Sequence, residues 1–175
     1  MPNYRRMLVP GGTYFFTVTL ADRSTRTLVE HIDTLRRAFK LTWQELPFRT
    51  DAIVVLPEHL HCIWSLPAGD ANYSFRWQRI KARFTYGCRR EMGARMNPAS
   101  LPALWQRRFW EHLLRDEDDF ARHVDYIHFN PVKHGHATRA SLWPYSSIHQ
   151  YVRKGIVPAD WAGDREIDGL VGERE

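Results

Sequence analysis

Val54-Val55-Leu56-Pro57-Glu58-His59-Leu60-His61-Cys62-Ile63-Trp64 compresses the end of one strand, a break and the start of another into eleven residues. Residues 48–56 are apolar and β-branched towards their end, the composition of a strand. Pro57 has no N–H to donate to a ladder, and Glu58 interrupts the apolar run. From His59 the strand character resumes and continues to residue 66. A connection this short joins antiparallel neighbours.

Working outward, residues 13–20 (TYFFTVTL) follow Gly11-Gly12 and read as another strand, ended by a polar turn over 21–25. Leu28, Ile32, Leu35, Phe39 and Trp43 recur at helical spacing, and Pro47 stops that helix. Downstream, a turn at 67–70 leads to a second helix, capped by Asn72 or Ser74, with Phe75, Ile80, Phe84 and Cys88 on its apolar face. Residues 93–102 read as a loop and 104–113 as a fourth strand. A helix over 116–130 carries acidic residues in its first turn, where they complement the helix dipole. Phe120, Val124 and Ile127 form its core stripe, and Pro131 is expected to end it. This order predicts an α+β fold: a ferredoxin-like βαββαβ sandwich whose antiparallel sheet is covered by helices on one face, plus an additional C-terminal helix. Residues 1–175 are read as one domain, with 133–175 an extension packed on or near the core.

Lys and Arg outnumber Asp and Glu by 25 to 20, and the excess is concentrated. Ten Lys/Arg against two Asp/Glu fall between Arg76 and Arg115, whereas the chain beyond Lys154 is acidic. A basic middle suits a phosphate-rich partner, because each cation at a phosphate releases condensed counterion. The two cysteines, Cys62 and Cys88, lack zinc-site spacing, and a disulfide framework is not expected in a chain of this size. The apolar stretch after Met1-Pro2-Asn3-Tyr4-Arg5-Arg6 is too short for a signal peptide, and no run approaches a membrane span. The expectation is a soluble, cytoplasmic protein with no membrane partner.

His59 and His61 lie two apart in a strand, so both imidazoles project from one face while Leu60 points to the other. Two nitrogens on one face can share an ion, but a closed zinc site needs four ligands. The pair therefore fits an open site completed by other donors and by substrate. Glu58 is placed to accept a hydrogen bond from one imidazole and orient it. Tyr126 and Asn130 share a helix face at i, i+4, and the Asn130 amide oxygen can serve as a third ligand. A tyrosine hydroxyl becomes a usable nucleophile beside a cation or metal. Spacing alone does not choose Tyr126 among the seven tyrosines. His128, two residues on, falls on a different helix face.

The block around His59-Leu60-His61 resembles the histidine-hydrophobe-histidine motif of the single-tyrosine transposases of insertion sequences. Val124-Asp125-Tyr126-Ile127-His128-Phe129-Asn130-Pro131-Val132-Lys133-His134-Gly135 resembles their tyrosine helix. The closest likeness is to the REP-associated tyrosine transposases. Tyr4-Arg5-Arg6, Gly11-Gly12-Thr13, 105–112, 143–147 and 160–163 fit the same branch, so the resemblance spans nearly the whole chain. It implies nicking and rejoining of single-stranded DNA at the hairpins of repetitive extragenic palindromes by a monomeric enzyme. It further implies a 5′-phosphotyrosine link on Tyr126, and Mg²⁺ or Mn²⁺ held by His59 and His61. Insertion-sequence members usually carry Gln four residues after the tyrosine, where this chain has Asn130.

Arg76, Arg79, Lys81 and Arg83 on the second helix, with Arg107, Arg108 and Lys133, are expected to contact DNA, and Arg5 and Arg6 to reach the hairpin base. Trp77 and Trp105 are candidates to stack on bases, and Trp110 is assigned to the core. Two other functions compete: a non-catalytic hairpin-binding regulator on the same fold, and a metal-dependent nuclease that activates water.

Overall fold

The computed structural model describes residues 6–93 and 102–161. Its strands are β1 (Thr13–Thr19), β2 (Arg49–Val55), β3 (His59–Ser65) and β4 (Trp110–Leu113). They form one sheet in the order β2-β3-β1-β4, every neighbouring pair antiparallel. The helices are α1 (Thr27–Glu30), α2 (Ile32–Glu45), α3 (Tyr73–Glu91), α4 (Glu117–Lys133) and α5 (Ile148–Arg153). The α+β class, the antiparallel sheet and the βαββαβ order are as read from the sequence.

The two central strands, β1 and β3, are buried on both faces, which accounts for their nearly unbroken burial. Tyr14, Phe16 and Val18 of β1 and Leu60, Cys62 and Trp64 of β3 share one face. There Trp64 stacks on Trp77 of α3 at 4.2 Å and 14° and meets Phe39 of α2 edge-on. Such aromatic pairs contribute roughly 0.5–1.5 kcal/mol beyond the area they bury. Gly87 permits the close passage of α3 over α2, because a Cβ there would overlap the Thr34 methyl. Asn72 caps α3, its side chain accepting from Phe75 N at 3.1 Å.

Helices cover the sheet on both faces, not on one. Helix α4 packs on the second face, where Tyr126 meets Phe15 of β1 and His61 of β3. The reason lies in β1 and β3 themselves: each strand carries apolar or aromatic residues at successive positions, so both of its faces need cover. Residues after α4 cover that helix in turn. Val54 bridges Ser146, Val55 N donates to Tyr145 O at 2.8 Å, and Ala140 and Ile148 cluster with Phe129 and Val132. No described helix is long and apolar enough to cross a membrane.

Several element ends differ from the sequence reading. The first helix breaks at His31 into α1 and α2, and its last apolar position, Trp43, is 53% exposed. Strand β4 is shorter than 104–113, with Trp105 making only an isolated bridge to Leu20. Pro131 lies inside α4, which continues to Lys133. A proline in the last turn removes only its own N–H, and His134 N still donates to Asn130 O at 3.0 Å.

His128 joins α4 to the covering segment: it is fully buried, its Nε2 lies 3.0 Å from Ser147 Oγ, and its ring meets Tyr151 edge-on. Burial, with a smaller contribution from His149, pushes it down to about 4 from the usual 6.5. The unfolded chain therefore takes up this proton at higher pH than the folded one, and acidification through that window favours unfolding. The melting temperature is expected to fall between pH 6.5 and 4. His128→Gln should flatten that dependence, and a series of thermal melts against pH measures it; an unchanged slope would exclude His128 as its source.

Candidate functional site

On the second sheet face β3 carries two histidines where its first face carries Leu60, Cys62 and Trp64. His59 is 4% exposed and His61 fully buried, their ring centroids 4.8 Å apart. His59 Nδ1 lies 2.8 Å from Glu58 Oε1. Burial works to raise the Glu58 carboxyl, but the hydrogen bond and charge of His59 outweigh it and hold it below its usual range. Ionised, Glu58 can only accept, so His59 Nδ1 is the donor in this contact. His61 Nδ1 lies 2.9 Å from Thr17 Oγ1, on the residue directly paired with it across β1 and β3. Burial above all, then the positive charges of His59, His134 and Lys133, pushes His61 well below its usual value. It is thus a neutral imidazole at physiological pH, the form that binds metals.

Helix α4 runs its i, i+4, i+8 stripe over this pair. Tyr126, 3% exposed, meets His61 with ring centroids 5.3 Å apart, and His134 meets His59 at 5.3 Å. Asn130 lies between them on the same stripe. It is fully buried, and neither its Oδ1 nor its Nδ2 has a hydrogen-bond partner among the described residues. A buried amide left so costs about 1–3 kcal/mol, a burden retained only where something else uses the group. Lys133 Nζ lies over the Tyr126 ring, 5.0 Å from its centroid.

Two imidazoles and one amide oxygen are a donor set for an open divalent site, and the orphaned Asn130 amide fits it. A second group, His112, Asp119 and His123, brings ligand-type atoms within 4.8 Å of one another. Its carboxylate already accepts from His112 Nε2 at 2.9 Å and from Arg115 Nε at 3.2 Å, with Arg122 at 3.8 Å. Burial works to raise Asp119, but those hydrogen bonds hold it down to about 2.

The cations chosen from sequence scatter. Arg76 is 2% exposed: its guanidinium donates to Leu46 O, Pro47 O and Asn72 O and pairs with Asp70 at 2.7 Å. It ties α3 to the end of α2 and has no surface to offer DNA; its place on the inner face of α3 explains this. Arg79 and Arg83 both bond Glu45 on α2. Lys81 donates to Gln106 O at 3.0 Å and lies 5.6 Å from the centroids of Trp105 and Phe109. Burial, then the charge of Arg6, lowers Lys81 to about 8. Arg6 lies over Phe109 and 3.7 Å from the buried Glu111. Arg107, Arg108 and Lys133 are exposed. Arg5 lies outside the described residues.

The tryptophan assignments reverse. Trp77 and Trp105 are buried, whereas Trp110 is 37% exposed at the β4 edge. Thr17 and Phe15 share one face of β1 by alternation, and the pairing of Thr17 with His61 makes it the histidine face.

By fold and site this is an α+β protein whose sheet presents a histidine pair to a tyrosine-bearing helix. A REP-associated tyrosine transposase of Escherichia coli (strain K12) is 46% identical over 174 residues, covering 99% of this chain and 98% of that protein. The chain belongs to the REP-associated tyrosine transposase family. A putative member from Haemophilus influenzae is 44% identical over 170 residues, 95% of this chain and 97% of that one. The solved structure of a REP-associated tyrosine transposase bound to a REP hairpin is similar at TM-score 0.86, with 45% identity over 100% of this chain and 99% of that one. No family model matches the chain.

The orphaned amide predicts a conflict between stability and function. Asn130→Leu, of similar volume, is expected to raise the melting temperature in chelator, because it removes an unsatisfied buried group. A lower melting temperature, measured by calorimetry without divalent ions, would contradict this reading of Asn130.

Proposed function

We propose that this transposase nicks and rejoins single-stranded DNA at hairpin sequences, with Tyr126 as nucleophile and with His59, His61 and Asn130 holding Mg²⁺ or Mn²⁺. The observation that carries the reading is the buried, unpartnered Asn130 amide on the stripe between Tyr126 and His134, over the histidine pair. The hairpin in the related solved structure supports the substrate class. The divalent ion, when bound, would neutralise charge on the scissile phosphate.

The chain's own residues supply the rest. Thr17 and Glu58 fix the two rings through Nδ1, directing each Nε2 to the shared site. The Tyr126 oxygen attacks phosphorus, a Tyr–O–P bond forms, the bond to the 3′ oxygen breaks, and the 3′ end leaves as a hydroxyl. The phosphotyrosine ester conserves the bond, so a later 3′-hydroxyl reverses the step without external energy. Lys133 brings positive charge to the ring face as negative charge develops on the phenol oxygen. That Tyr126 meets His61 of its own chain supports a monomeric enzyme. Arg6, Lys81, Arg107 and Arg108 lie apart from this centre and are assigned to the hairpin. Arg79 and Arg83 are assigned there too, exchanging Glu45 for phosphate.

Tyr126→Phe is expected to abolish both cleavage and capture of a labelled single-stranded hairpin that stays with the protein after denaturation. Cleavage retained by that variant would favour activated water and sink the proposal. Binding without cleavage by the unaltered protein, at any divalent ion concentration, would favour the regulatory alternative. Thr17→Val, which frees the His61 ring, is expected to weaken the ion's apparent affinity roughly 10–100-fold while maximal rate at saturating metal changes less. A metal titration of cleavage rate reads this directly.

A further inference from the structure

The cations that sequence places on α3 lie with the helical layer on the sheet face opposite Tyr126, and Arg76, Arg79 and Arg83 are engaged in holding α2 and α3 together. A strand delivered to Tyr126 needs a binding surface on the Tyr126 face. The β4 edge supplies one. Strand β4 pairs only with β1, so its other side is an open edge among the described residues. Trp110, 37% exposed, projects to the Tyr126 face, where its ring meets Phe15 at 5.6 Å; the same Phe15 ring meets Tyr126 at 5.9 Å. The indole therefore stands one aromatic ring away from the nucleophile.

Its other neighbours are a histidine and, through one carboxylate, two arginines. The His112 ring lies parallel to Trp110, at 5.9 Å and 5°. His112 donates to the buried Asp119, the same carboxylate that takes Arg115 Nε and lies beside Arg122. One carboxylate thus lies against two guanidiniums whose side chains are 69% and 52% exposed, Arg115 hydrogen-bonded to it at 3.2 Å and Arg122 3.8 Å away, beside the acidic first turn of α4. An aromatic face beside ordered cations is how proteins hold single strands without reading sequence: bases stack and phosphates pair. A fixed guanidinium also loses less entropy on meeting a phosphate than a free one.

We infer that the β4 edge is the single-strand path to the active site, with Trp110 stacking on a base next to the scissile phosphate and Arg115 and Arg122 contacting the flanking phosphates. The inference rests on Tyr126 being the nucleophile. It assigns a positioning role to Trp110, which is linked to the proposed ion ligand His61 through Phe15 and through its strand partner Thr17.

The test uses the full chain carrying Tyr126→Phe, so that binding is read without cleavage, and a fluorescein-labelled oligothymidylate as probe. Trp110→Ala is expected to weaken binding roughly 10-fold, the size of one lost base stack, and Trp110→Phe to retain most of it. Arg115→Ala with Arg122→Ala should lower the slope of log affinity against log salt by about 1.4, roughly 0.7 per phosphate contact on a single strand. The same oligonucleotide bearing 5-iodouracil should photocrosslink to Trp110, identified by mass spectrometry. Both arginines are exposed, so that pair keeps the test decisive even where Trp110→Ala fails to fold. Parent-like affinity and salt slope in the arginine pair, with no crosslink at Trp110, would overturn the inference. So would a parent that does not bind oligothymidylate. Neither result touches the nucleophile assignment, which covalent capture of a hairpin by the unsubstituted protein tests independently.

Discussion

The ring of Phe15 touches His61 at 5.5 Å, His123 at 4.8 Å, Trp110 at 5.6 Å and Tyr126 at 5.9 Å. It thereby joins β3, β4 and α4 at one point on the second sheet face. Its neighbours along β1, Tyr14 and Phe16, anchor the opposite face on Tyr73 and Trp77. Because both faces of β1 are filled with rings, neither helical layer can slide without forfeiting contacts on a close-packed core. The location of α4, and with it the distance from Tyr126 to the histidines, follows from that constraint.

Strand β3 carries the consequence. Leu60, Cys62 and Trp64 face α2 and α3 and obey ordinary core chemistry, with Cys62 a buried free thiol. His59 and His61, one step out of phase, put two imidazoles into an equally dry environment and oppose them with an asparagine. Burying such groups is unfavourable unless they find partners. Thr17 and Glu58 each hold one nitrogen of a ring, His61 Nδ1 and His59 Nδ1. Local rules are broken where function is expected to be, and the first face shows how the same strand packs when no function intrudes.

This division explains what was legible in the sequence. The period-two placement of His59 and His61, the antiparallel join at Pro57-Glu58, and the Asn72 cap all depend on neighbours in the chain, and each appears as read. Properties set by distant elements were not legible. Whether Arg76 faces solvent depends on the end of α2, whose carbonyls it satisfies. Whether Trp110 is core or surface depends on how far α4 reaches across the sheet. Thr17 was within reach, since pairing β1 with β3 sets it opposite His61, but choosing that pairing requires the strand order. The meaning of Pro131 was also non-local: read as a stop, it hid the turn that carries Lys133 back over Tyr126.

Burial of Tyr126 also bears on what can approach it. A side chain 3% exposed, beneath the sheet and beside Phe15, cannot extend into the groove of a duplex to meet a phosphate. Under the proposed function the phosphate has to enter, and a backbone that enters must be free of a complementary strand. Two exposed features border the tyrosine: the C-terminal turn of α4, with Lys133 and His134, and the β4 edge, with Trp110. Both carry groups suited to phosphates or unstacked bases. The opposite face is sealed by α2 and α3, with Arg76, Arg79 and Arg83 bonded between them. Charge composition alone would have sent the nucleic acid to α3. If Tyr126 is the nucleophile as proposed, the packing of β1 sends the reacting strand to the other side of the sheet from α3.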